Sequence, residues 1–318
     1  MWDFDIGKTF GILMKTLPFI IFRMLIYMGV AFGYLLVTGI GAAIGYMLTS
    51  LAEEPGAGAF IGGAIGFAVS TGIMYWLREY ILYLVKAGHI AVMVELLDGK
   101  TDLPGGKGQI DYAQSRVRER FVEASILFGL DQLLKGVLRG LNRGLSSIGS
   151  FVPIPGLEGL MGIVSKILTL SLTYTDEIII AYNFRVRSDN AWATSKDAVI
   201  LYAQNYKSML KNAFFLMLGI WLITLVIFLV VLLPVGALFS FFPGNVSFWG
   251  FVIALVFAWC FKAALVEPFA VAAMMQVYFK AIEGQVPNAE WDQKLSSISG
   301  KFRKLKKKAE EGPTVAPA

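Results

Sequence analysis

The stretch Leu130–Gly144, "LDQLLKGVLRGLNRG", decides how the whole chain is read. Asp131, Lys135, Arg139 and Arg143 recur every four residues, so a helix carries them as one charged stripe. Gly136, Gly140 and Gly144 form a second stripe about 100° away, and leucine and valine fill most of the remainder. A cation at the centre of a membrane helix costs roughly 2.5–3.5 kcal/mol. Three of them facing lipid tails would offset most of what the leucines gain. Two arrangements avoid this. In the first, the helix spans the membrane, turns its stripe toward water or carboxylates, and uses its glycine row for close helix packing. In the second, it never spans and lies in the interface with its cations toward headgroups.

The question matters because the surroundings are so apolar. Of 318 residues, 56% are hydrophobic and 16% charged, with a mean hydropathy of +0.64. Soluble domains carry nearer a quarter charged residues, and several runs here exceed the roughly 18 apolar residues of a bilayer span. The expected fold is all-α and polytopic. Three helical hairpins, about 17–98, 119–186 and 213–283, give about six membrane segments, with amphipathic basic helices between them. Their turns, "SLAEEPGAGA" (50–59), "SFVPIPGLEG" (150–159) and "SFFPGNVSF" (240–248), each hold Pro and Gly and no Lys or Arg. The connecting segments are basic, with Lys100, Lys107 and Arg116 in the first and Arg185, Arg187 and Lys196 in the second. The positive-inside rule then places both termini and both links in the cytoplasm, and the chain in the cytoplasmic (inner) membrane.

The net charge of +5 reports this asymmetry, since no soluble basic domain is present to hold a nucleic acid. Residues 1–303 read as one transmembrane domain and 304–318 as a polybasic, then disordered, tail. Lys304, Lys306, Lys307 and Lys308 are placed to meet anionic lipid headgroups. The lone Cys260 excludes an intramolecular disulfide and CxxC chemistry, and the lone His89 argues against a His-based metal site or a Ser-His-Asp triad. No cofactor, no metal and no enzymatic activity are expected.

Other ionisable residues fall inside or beside apolar segments. Arg23 and Lys86 lie toward cytoplasmic helix ends, where their long stems can snorkel. Lys166 belongs to the second hairpin; Asp176 and Glu177 on its returning helix are counter-charges for the stripe, and Lys262 and Glu267 form a further set in the last helix. "GIGAAIG" (39–45) and "GAGAFIGGAIG" (56–66) indicate close packing inside the first hairpin. "MVELLDGKTDLP" (93–104) resembles "YFKAIEGQVPNA" (278–289), so Gly99 and Gly284 are expected to end helices in the left-handed conformation.

Function follows from the stripe. If it lines a path, the protein is a channel or transporter that favours anions, and a ring of protomers must enclose the pore. The alternative is a non-transporting scaffold, assembly or lipid-organising protein whose basic cytoplasmic helices are the working surface. The partners expected are the lipid bilayer and its anionic lipids, a second copy of the chain, and an unidentified membrane protein.

Overall fold

A computed structural model describes residues 2–50, 55–100, 103, 106, 108–120, 129–138, 140, 174–239 and 247–312. Among them the chain is helical, with no strand. The helices are α1 (Ile6–Lys15), α2 (Leu17–Thr49), α3 (Pro55–Leu97), α4 (Gln109–Arg120), a helical stretch over 129–138, α5 (Thr175–Val186), α6 (Ala191–Gln204), α7 (Tyr206–Phe239), α8 (Ser247–Phe261), α9 (Glu267–Ala281), α10 (Ala289–Ile298) and α11 (Gly300–Glu310). Among the described residues, four helical stretches are long and apolar enough to cross a membrane: Leu17–Thr49, Tyr80–Leu97, Tyr206–Ala237 and Ile253–Ala281. At 1.5 Å per residue, the 43 residues of α3 reach about 64 Å, roughly twice the hydrocarbon thickness of a bilayer.

The chain forms two compact units. One, the apolar unit, comprises Phe19–Val85 and Thr224–Val266; the other, the polar unit, comprises Met1–Pro18, Lys86–Ile223 and Glu267–Ala318.

In the apolar unit the large side chains point outward. Phe32, Leu48, Phe60, Trp259 and Leu233 are all exposed, and only 17% of the apolar window of α2 is buried. Water would penalise so continuous an apolar surface, whereas lipid tails do not. With no hydrophobic drive between helices in lipid, packing rests on small residues, and α2 meets α3 along glycines. A Cβ added at Gly41 would lie 2.3 Å from the Gly62 carbonyl oxygen, and one at Gly45 would lie 1.9 Å from that of Gly58. This is the close packing expected from the two glycine-rich stretches. A small core of Tyr27, Leu82, Cys260, Ala263 and Ala264 completes the unit, and Tyr27 meets Trp259 edge-on at 5.3 Å.

Between α8 and α9 the helix widens into a π turn, Lys262–Val266. Pro268 accounts for it: proline offers no N–H and its ring crowds the carbonyl four residues back, at Ala264, so a regular α turn fits badly there. Arg23 donates to the Ala263 carbonyl in this turn at 3.0 Å and is 3% exposed. Snorkelling therefore does not describe Arg23. A buried guanidinium needs acceptors, and an irregular turn presents carbonyls that an ideal helix keeps for itself.

The polar unit packs like a soluble protein. Ile178, Ile179, Ile180 and Phe184 of α5 are buried, as are ten of the fourteen residues of α6. Tyr278 is fully buried and donates to the Ala198 carbonyl at 3.0 Å. Trp192 and Tyr202 lie in this core. The polybasic segment that begins at Lys304 is helical. α11 continues to Glu310, packs on α6, and buries Phe302 and Leu305. Ser299 caps it by accepting from the Phe302 amide, and Asn190 donates to the Ala309 carbonyl at 2.8 Å. The amphipathic spacing of Phe302 and Leu305 outweighs the polar composition because α6 supplies an apolar surface.

The endings of α3, α9 and α5 in this unit pass through the left-handed region. Gly99 has φ +85° and Gly284 φ +69°, as their repeat predicts. The third is Arg187, at φ 58°, which closes α5. After Gly99 the Lys100 amide returns to the Glu95 carbonyl at 3.1 Å and the Gly99 amide to Leu96 at 3.2 Å, a Schellman ending. A Cβ in this region costs roughly 1–2 kcal/mol. Gly284→Ala is therefore expected to lower stability by about 1 kcal/mol. At the third ending, Arg187→Gly should be the milder change and Arg187→Ala the harsher by about 1 kcal/mol, because both remove the guanidinium but only alanine keeps the strained Cβ. Chemical denaturation of the three variants checks this order.

Candidate functional site: a buried ionic cluster

The stripe can be followed as far as it is described. Lys135 pairs with Asp131 at 2.8 Å, four residues back on the same helical stretch, and Asp131 is 1% exposed. Arg139, Arg143, Gly144 and Lys166 lie outside the described residues. Gly136 and Gly140 do face a close neighbour, but not a membrane helix. A Cβ at Gly136 would lie 3.0 Å from the Lys301 side chain, and one at Gly140 would lie 2.9 Å from the Ser299 hydroxyl. Small residues here admit the α10–α11 junction.

Asp176 and Glu177, in the first turn of α5, are both buried beside this stretch. Carboxylates at a helix start are favoured by the macrodipole. Lys86 of α3 reaches Glu177 at 3.4 Å and Glu267, the first residue of α9, at 3.9 Å. Lys86 thus does not snorkel to solvent; it is held among carboxylates from two other elements. The site brings together Asp131, Lys135, Asp176, Glu177, Lys86 and Glu267. Lys262 lies in the π turn of the other unit.

The three inner carboxyls differ in electrostatics. Burial pushes Asp176 well above the ordinary aspartate range, and the neighbouring Glu177 and Asp131 charges push it further. Burial also raises Asp131, against the opposing Lys135 ammonium. Burial alone would raise Glu177 too, but the Lys86 charge, a hydrogen bond from Asp176 and its own backbone amide outweigh it, so its pKa falls. Burial and its carboxylate neighbours thus favour the protonated form of Asp176, while the Lys86 ammonium favours the ionised form of Glu177. Chemically, the arrangement can hold a proton and tie four chain segments together.

A second network lies at the helix endings. Glu95 is 3% exposed and accepts from Lys100, from the Tyr112 hydroxyl and, at 2.7 Å, from Arg187. Burial and the Glu95 carboxylate push the Tyr112 pKa up. Arg185 pairs with Asp98 at 3.0 Å and lies over the Phe279 ring at 4.4 Å. Residues next to these endings, among them Asp98, Arg185 and Glu283, line a cleft of about 640 Å³ together with Asp3, Asp5 and Lys8. Sequence reasoning did not single out Glu95 and named Arg187 only as a basic link residue, because no glycine announces its conformation.

The headgroup lysines are only partly available. Lys306 pairs with Asp292 at 2.6 Å, and Lys308 lies 4.5 Å from the Trp192 ring. Lys304 and Arg303 are exposed on the outer face of α11 with Lys307, which reaches Glu311 at 4.0 Å. Comparison with known proteins adds no assignment to this geometry: no family model, no curated protein and no solved structure matches the chain.

Proposed function

We propose that this protein is a non-transporting membrane scaffold that holds anionic lipid against the basic outer face of its polar unit. The pairing of Lys135 with buried Asp131, beside Asp176 and Glu177, carries this reading. An anion path would need its cations unpaired and open to a lumen, and the described cation of the stripe, half-exposed Lys135, is instead paired with a buried carboxylate. The exposed positive charge lies elsewhere, on Arg303, Lys304 and Lys307 of α11. The long apolar helices anchor the chain in the cytoplasmic membrane, with both termini and both links on the cytoplasmic side. An interfacial rather than spanning second hairpin fits this reading, because α5, the described end of its returning helix, carries Asp176 and Glu177 in its first turn and buries nine of its twelve residues within the polar unit.

Two measurements test this. In proteoliposomes, chloride and nitrate efflux should stay at the protein-free background; selective efflux that Arg139→Glu with Arg143→Glu abolishes would restore the channel. Each exposed cation contributes about 1 kcal/mol near an anionic surface. Reversing Arg303, Lys304 and Lys307 to glutamate should therefore weaken retention of anionic lipid on the purified protein by at least about a hundredfold. Unchanged lipid content would remove the lipid-holding role.

A further inference from the structure

We infer that α1 is an interfacial helix whose outward face, Ile6, Phe10 and Met14, is seated in the headgroup–acyl boundary of the bilayer. This holds whether or not the basic face of α11 retains lipid. Three described segments share an amphipathic, basic character: α1, α4 and α11. Two of them direct their apolar side chains mainly inward. α11 buries Phe302 and Leu305, and α4 buries Tyr112 and Ala113 while leaving Ile110 exposed. α1 alone has two apolar faces. Thr9, Ile12 and Leu13 are buried, and Thr16, just beyond, contacts His89 at 2.9 Å. The adjacent face carries Ile6, Phe10 and Met14, spaced four residues apart, at 48%, 59% and 50% exposure. A Cβ added at Gly11 meets nothing within 4 Å, so no described part of the chain covers the helix there.

The occupant follows from position and chemistry. Only Thr16 separates α1 from α2, a 33-residue helix of membrane-spanning length and hydropathy, so the end of α1 must lie where the chain enters the apolar phase. Trp2, 39% exposed, stands at the other end of the helix, and an indole favours the boundary between water and acyl chains. Lys15 is exposed at the junction with α2, where an ammonium can reach phosphate. Asp5 caps the helix by accepting from the Lys8 amide at 2.8 Å, and Lys8 donates to the Leu97 carbonyl at 3.1 Å, so α1 is held to the polar unit while its other face stays open.

Nitroxide labels report this directly. The full chain, with Cys260→Ala, is labelled singly at Phe10→Cys, Met14→Cys and Lys15→Cys and placed in nanodiscs of neutral and anionic phospholipid. Power saturation then compares collision with oxygen, which concentrates in lipid, and with a water-soluble nickel chelate. At positions 10 and 14 oxygen should dominate, and at 15 the chelate. The first two replace exposed side chains, so folding is little disturbed. Dominance of the chelate at 10 and 14 would place the face in water and overturn the inference. Protection from both reagents would overturn it too, since a second copy of the chain or another protein would then cover the face.

Discussion

Gly45→Ala is expected to open the α2–α3 seam and to cost about 3 kcal/mol, the upper end for overpacking a rigid site. The added methyl would meet the Gly58 carbonyl oxygen at 1.9 Å and its carbon at 2.7 Å. Both are backbone atoms, so no side chain can swing away and the helices themselves must separate. Gly62→Ala meets the Gly41 carbonyl oxygen at 2.1 Å and should behave alike. Gly39→Ala, on the same helix with nothing within 4 Å, should instead stabilise by roughly 0.5–1 kcal/mol, because alanine loses less conformational entropy in a helix. Thermal unfolding of the three variants in mild detergent separates them. Equal losses at Gly39 and Gly45 would show that the seam does not hold the pair together.

Lys86→Met should destabilise the polar unit by about 3 kcal/mol. It strands Glu177, which is 8% exposed, and removes a partner of Glu267. Breaking a fully buried pair costs 3–5 kcal/mol; the figure here is at the low end because the Lys86 side chain is 27% exposed. Adding Glu177→Gln should recover much of the loss, since the stranded charge is then gone. The pH dependence has two limbs. Asp176 has a raised pKa, so the stability it contributes is fully present below the ordinary aspartate range and is lost as pH rises through its folded value. Glu177 has a lowered pKa, so its contribution is present above the ordinary glutamate range and is lost as pH falls. Asp176→Asn keeps a neutral donor at every pH. It should remove the alkaline limb, so that its melting temperature gains on the wild type as pH rises. A constant difference across pH would mean that Asp176 does not hold the proton.

Several features were legible in order along the chain. Helical class follows from apolar runs without strand alternation, and the glycine steps in the first hairpin predict backbone contact because no other residue leaves that space. The left-handed endings at Gly99 and Gly284 are written locally: an acidic residue, glycine and a polar residue after an apolar helix. Arg187 reaches the same conformation with no such signal, since the bond from its guanidinium to Glu95, 92 positions away, helps to hold it.

What the sequence by itself determined is what short-range chemistry can encode: membrane-length helices, capping residues, glycine seams, and the Asp131–Lys135 pair four residues apart. Which charges meet was decided only by the tertiary structure. Lys86 and Glu177 are separated by 91 positions, and Arg23 and Ala263 by 240. A lysine or arginine near a helix end looks the same in sequence whether it reaches water or a buried acceptor. The two cases differ only in whether another segment supplies a carboxylate or carbonyl within hydrogen-bond reach, and burial makes that partner obligatory.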